Sequence, residues 1–77
     1  MELAIEQELK AERAASLGRA GAALERALED WRARPGADTL REAQKRLWYL
    51  VVQREAMGLR KHRDIYDAYA VPKTWWY

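Results

Sequence analysis

The chain contains no proline before Pro35, and Gly36 follows it at once. Proline is the residue a helix interior tolerates least, and a Pro-Gly pair both stops a helix and lets the backbone reverse. The first 34 residues are therefore free to form one long rod, and the remainder must fold back beside it. Leu17, Leu24, Leu28 and Trp31 recur at helical spacing, with Gly21 on the same stripe, so a helix is expected over about 2–34. The wealth of Ala, Glu, Arg and Leu agrees with this.

The rod changes phase along its length. Carried back from Leu17, the apolar stripe lands on Arg13, Lys10 and Glu6, whereas Ile5 and Leu9 lie about a quarter turn away. Gly18 and Gly21 sit at the change. They can mark a kink, with Ser16 capping a separate helix, or admit another element closely. One long helix with close packing at the glycines is the favoured reading.

Beyond Pro35-Gly36, Thr39 and Glu42 have the spacing of a capping box, with Asp38 as a competing cap. A second helix is expected over about 40–57, closed by Gly58 in the left-handed C′ position with Leu59 packing back. A short third helix is expected over about 62–69, with Ile65 and Tyr69 inward and Asp64 near its positive end. Val71-Pro72 is extended, and residues 70–77 form an aromatic tail. The expected architecture is all-α and a single domain: a helical hairpin with a long first helix, a central second helix and a short third helix.

On the second helix, Leu40, Ala43, Leu47, Leu50, Val51 and Met57 share a face, and Arg54 falls among them. Trp48 and Val52 widen the apolar arc, which implies cover from several directions. Arg54 and Glu55 are adjacent and so do not face each other, and each needs a partner from elsewhere. The expected partner of Arg54 is a nearby edge or a carboxylate of the first or third helix. A ligand pocket and a subunit interface are the alternatives.

A domain of 77 residues buries only about 60% of its unfolded surface and usually needs reinforcement. The chain has no cysteine and a single histidine, His62, which excludes disulfides and His- or Cys-based metal centres. Tight packing or self-association remains. At about 1.5 Å per residue the first helix is nearly 50 Å long and the second under 30 Å, so the first overhangs. Ile5 and Leu9 on the overhang have nothing in the same chain to cover them. A homodimer is the expected solution, with the acidic start near the partner's basic turn. Residues 1–16 carry four acids against two bases, and residues 40–77 eight bases against four acids.

Candidate interaction residues are Ile5, Leu9, Trp48, Arg54, Glu55, Trp75 and Trp76. Trp75-Trp76-Tyr77 is expected to fold back as a lid or enter a partner's groove, since large apolar groups seldom hang in water. The basic cluster Arg60, Lys61, His62 and Arg63 offers a second function class, nucleic-acid contact with the tail aromatics as stacking surfaces. The net charge of +2 does not favour that class. Arg54 stands where helix-turn-helix motifs usually place a small residue. His62 is read as a cap or surface residue. No nucleophile constellation, Glu-x-x-His pattern or phosphate-binding loop is present, so neither an enzyme nor a cofactor is expected. No stretch approaches the roughly 20 apolar residues that span a bilayer, and a soluble cytoplasmic protein is expected. A small-molecule site at Arg54 lined by tryptophan is a third class, and an unidentified protein partner is a further option.

The stretch Trp48-Tyr-Leu-Val-Val-Gln-Arg-Glu-Ala-Met-Gly-Leu-Arg60, with Tyr69-x-Val71-Pro72 and the Leu17–Gly21 segment, resembles a small bacterial family of short all-helical proteins of unknown function. The likeness spans about residues 14–72, and its most specific part is Val52-Gln53-Arg54-Glu55 with Gly58-Leu59-Arg60. Relatives often carry cysteine where this chain has Met57, so a thiol role cannot extend to it. The resemblance implies a helical fold and a bacterial source, and supplies no activity.

Overall fold

A computed structural model describes residues 2–77, with side chains described from Ile5 onward. Helix α1 spans Glu2–Ala33, α2 spans Ala37–Ala56, α3 spans Arg63–Ala68, and a 3₁₀ turn covers Lys73–Trp75. There is no strand among the described residues, so the all-α helical hairpin stands. No described helix is long and apolar enough to cross a membrane.

Helix α1 runs through Gly18 and Gly21 without interruption. Only Gly21 is a point of close approach: a Cβ there would lie 2.8 Å from the Tyr69 hydroxyl, whereas one at Gly18 meets nothing within 4 Å. The neighbour at Gly21 is thus the end of α3.

Helix α2 begins earlier than the capping-box reading placed it. Its N-cap is Gly36, without a side-chain bond. The Thr39 hydroxyl instead donates back to the carbonyls of Arg34 (2.8 Å) and Gly36 (3.2 Å), tying the turn to the end of α1. Asp38 sits in the first turn beside Arg41 rather than capping. The other end follows the sequence signal. Gly58 has φ +86°. The Leu59 N–H donates to the Arg54 carbonyl and the Gly58 N–H to that of Glu55, both at 3.0 Å. These are the paired bonds of a Schellman ending. Leu59 does not pack back, however, and stays exposed. Helix α3 ends with the same bonds, Val71 N–H to Tyr66 O and Ala70 N–H to Asp67 O, but Ala70 holds the left-handed position at φ 53°.

The core lies between α1 and α2 and under α3. Leu24, Leu28, Ala43, Leu47, Leu50 and Val51 are buried together with Ile65, Tyr66 and Val71. The tail closes one side. Trp75 packs on Trp31 with centroids 4.9 Å apart, and Trp76 stacks on Tyr66 at 4.9 Å and 14°. The Trp76 indole N–H donates to the Val71 carbonyl (2.9 Å), and the Tyr77 N–H donates to the Tyr66 hydroxyl (3.0 Å). Arg32 donates to the carbonyls of Tyr69 and Ala70, satisfying the end of α3 from α1. The tail is thus a lid on its own chain. Its residues 74–77 line a shallow cleft with Gln44 and Leu47 of α2. Trp48 and Val52, expected under cover, stand 48% and 42% exposed on the outer face.

Candidate interaction site

The charged pair in α2 is resolved by one ring. His62, expected as a cap or a surface residue, holds the N-cap position of α3 without a side-chain capping bond, and it is buried, because it lies in the tight connection between α2 and α3. Arg54 donates from Nε to His62 Nδ1 (3.2 Å), and from its terminal nitrogen to the Lys61 carbonyl (3.1 Å) and the Asp64 carboxylate (3.0 and 3.1 Å). An arginine N–H can only donate, so Nδ1 must be the acceptor and the ring carries its hydrogen on Nε2. That nitrogen faces Glu55 Oε2 at 3.3 Å. Arg54 and Glu55, which cannot reach each other, therefore meet through the two sides of one imidazole. The acid at the start of α3 was the expected kind of partner for Arg54; the histidine was not. Its one sequence signal was its place four residues after the left-handed Gly58, where the chain turns back on α2.

Partial desolvation alone would raise the Asp64 carboxyl. The Ile65 backbone N–H and the charge and hydrogen bond of Arg54 outweigh it, and the group is held below its ordinary range. Among the described residues, no buried side-chain nitrogen or oxygen lacks a hydrogen-bond partner. The cluster is thus self-satisfied and locks the α2–α3 connection.

The basic turn is divided. Arg60 and Lys61 are exposed. His62 is buried, and Arg63 lies over the Trp76 ring at 4.8 Å and pairs with Asp67 at 3.2 Å. Trp75 and Trp76 are half-buried against their own chain.

The N-terminal overhang is different in kind. Ser16 bonds Gln53 at 3.1 Å, which sets the antiparallel register of α1 and α2. Arg13 lies level with Ala56 and Met57 at the end of α2. Every residue from Ile5 to Ala15 is exposed, and Ile5 and Leu9 are 57% and 46% exposed. On the outer face of α2, Trp48, Tyr49 and Val52 are also open, with the Trp48 and Tyr49 rings 5.3 Å apart. Exposed Arg41 and Lys45 precede them along the helix, and exposed Glu55 follows.

A family model described as a family of unknown function matches residues 2–75. The chain belongs to the DUF6665 family. The match takes in the overhang, the Arg54–His62 cluster and the tail as far as Trp75, more of the chain than the motif-bearing segment alone. Comparison with curated proteins and with solved structures finds no match.

Proposed function

We propose that this member of the DUF6665 family is a non-enzymatic helical interaction module that self-associates as a homodimer. One observation carries the reading: eleven consecutive helical residues, Ile5–Ala15, are exposed, with two large apolar side chains one turn apart. Helical stability in proteins comes mostly from tertiary packing of an apolar face, and this stretch of α1 has none. Its own chain offers none, because α2 ends level with Arg13. The compact remainder is closed by the tail on one side and leaves the Trp48, Tyr49 and Val52 face of α2 open. The nucleic-acid reading keeps only Arg60 and Lys61 as free bases of its four, and its stacking tryptophans are engaged.

Size-exclusion chromatography with light scattering tests this. A mass twice the 9.0 kDa of the chain is expected at micromolar concentration. The exposed substitution Leu9→Lys is expected to return it to the monomer mass with helicity retained. A monodisperse monomer up to about 100 µM, far above the Kd of an ordinary stable dimer, would end the proposal.

A further inference from the structure

We infer that the Trp48–Val52 face of α2 is the seat of the N-terminal overhang of a second copy; this rests on the self-association proposed above and assigns its geometry. Trp48 and Val52 are one turn apart on a helix, as are Ile5 and Leu9. Two such pairs, each with a rise of about 6 Å, fit against one another when the helices run side by side. A two-fold axis perpendicular to α1 near the end of α2 lays each overhang alongside the other copy's body. The partner's overhang then runs parallel to α2, since α1 and α2 are antiparallel within a chain.

The charges along the two segments run partly in opposite order. The overhang begins acidic, with Glu6 and Glu8 exposed, and is mixed beyond them at Lys10, Glu12 and Arg13. The outer face of α2 has Arg41 and Lys45, paired within the helix with Asp38 and Glu42, before the aromatic pair and Glu55 after it. With Ile5 beside Trp48 and Leu9 beside Val52, Lys45 lies about one turn from the level of Glu6, whereas Glu12 and Glu55, each seven residues further on, come level on the seam as a like-charge contact. Each copy contributes Ile5, Leu9, Trp48, Tyr49 and Val52, all at least 40% exposed. The symmetric pair makes the contact twice. A specific interface needs about 1,000 Å² in total, and a buried aromatic residue supplies about 150–250 Å². Because these side chains are already about half buried within each chain, two tryptophans, two tyrosines and six aliphatic side chains add about half their full areas, and the charged rim must complete the interface.

The absence of cysteine makes a direct test available. Leu9→Cys and Val52→Cys chains, and separately Ile5→Cys and Trp48→Cys chains, are mixed in pairs and mildly oxidised, with circular dichroism to confirm helicity. A mixed disulfide between an overhang cysteine and an α2 cysteine is expected in at least one pair, in preference to links between like chains. Trp48→Glu and Leu9→Lys, each alone, are expected to weaken dimerisation at least about tenfold, as loss of a central anchor does. Mixed together they are expected to restore a dimer, because one contact then has both partners intact. A dimer by mass with no mixed disulfide in either pair, or with no restoration on mixing, overturns this seat and leaves self-association standing. A monomer by mass overturns both.

Discussion

Arg54 places three kinds of acceptor on one guanidinium: a ring nitrogen, a backbone carbonyl and a carboxylate. Its side chain is only 11% exposed. Truncation leaves His62 Nδ1 buried without a donor, so Arg54→Met is expected to cost about 2–4 kcal/mol in urea unfolding. Lysine has no planar fork, so Arg54→Lys is expected to restore little of this; wild-type stability for that variant would refute the assigned role. Asp64 gives the cluster a pH dependence. Its carboxyl is held low, so its contribution is present above the unfolded value of about 3.9 and is lost as pH falls through the lower folded value. Acid unfolding should steepen below about pH 4, and Asp64→Asn should flatten that part of the titration. A third residue acts through backbone alone. Ala70 occupies a left-handed conformation at φ 53° that glycine holds at the equivalent place after α2. Ala70→Gly is expected to stabilise by about 0.5–1 kcal/mol, read as a higher Tm. Of these features, the need of Arg54 for an outside partner was legible in helical spacing. The burial of His62 was not, because it depends on how the α2–α3 connection lies over α2.

At the scale of elements, two glycines three residues apart in α1 have different reasons to be there. Gly18 faces open space and carries only the propensity penalty of glycine, so Gly18→Ala is expected to raise stability by up to about 1 kcal/mol. Gly21 lies under Tyr69, where an added methyl would stand 2.8 Å from the hydroxyl. Gly21→Ala should therefore lose the propensity gain in the native background and recover it beside Tyr69→Phe. Thermal unfolding of the four variants measures that coupling, and equal effects of Gly21→Ala in both backgrounds would remove Tyr69 as the cause. The apolar period changes phase at both glycines and left a kink open beside the favoured single helix, and it could not tell which glycine met a neighbour. The start of α2 shows the same limit. Thr39 and Glu42 have capping-box spacing, yet the helix begins at Ala37, because the Thr39 hydroxyl is better satisfied by the Arg34 carbonyl at the end of α1.

The molecule as a whole is a rod with a compact end. Its longest dimension is 50 Å, close to the length of α1 itself, which 32 residues make about 48 Å. Its radius of gyration of 14.3 Å exceeds the roughly 11 Å of a compact domain this size, and the overhang accounts for the excess. Hydrogen exchange should divide the chain accordingly. Amides of residues 5–12 are expected to exchange rapidly in dilute solution and to slow as concentration rises through the dimer range. The core of α1 around Leu24 and Leu28 should be protected throughout. Protection of residues 5–12 that is independent of concentration would show that the overhang stands without a partner.

What the amino-acid order determined alone was local: the number of helices, the reversal at Pro35-Gly36, the left-handed stop at Gly58, and the excess length of α1 over α2. Each follows from backbone sterics, helical period and counting, and needs no knowledge of neighbours. The tertiary structure decided what met what. The tail lay down over Trp31 and Tyr66 on its own chain, His62 joined Arg54 to Glu55, and Trp48 and Val52 were left open. Those outcomes depend on which of several apolar surfaces one short segment can cover once the hairpin has closed, and covering one leaves another bare.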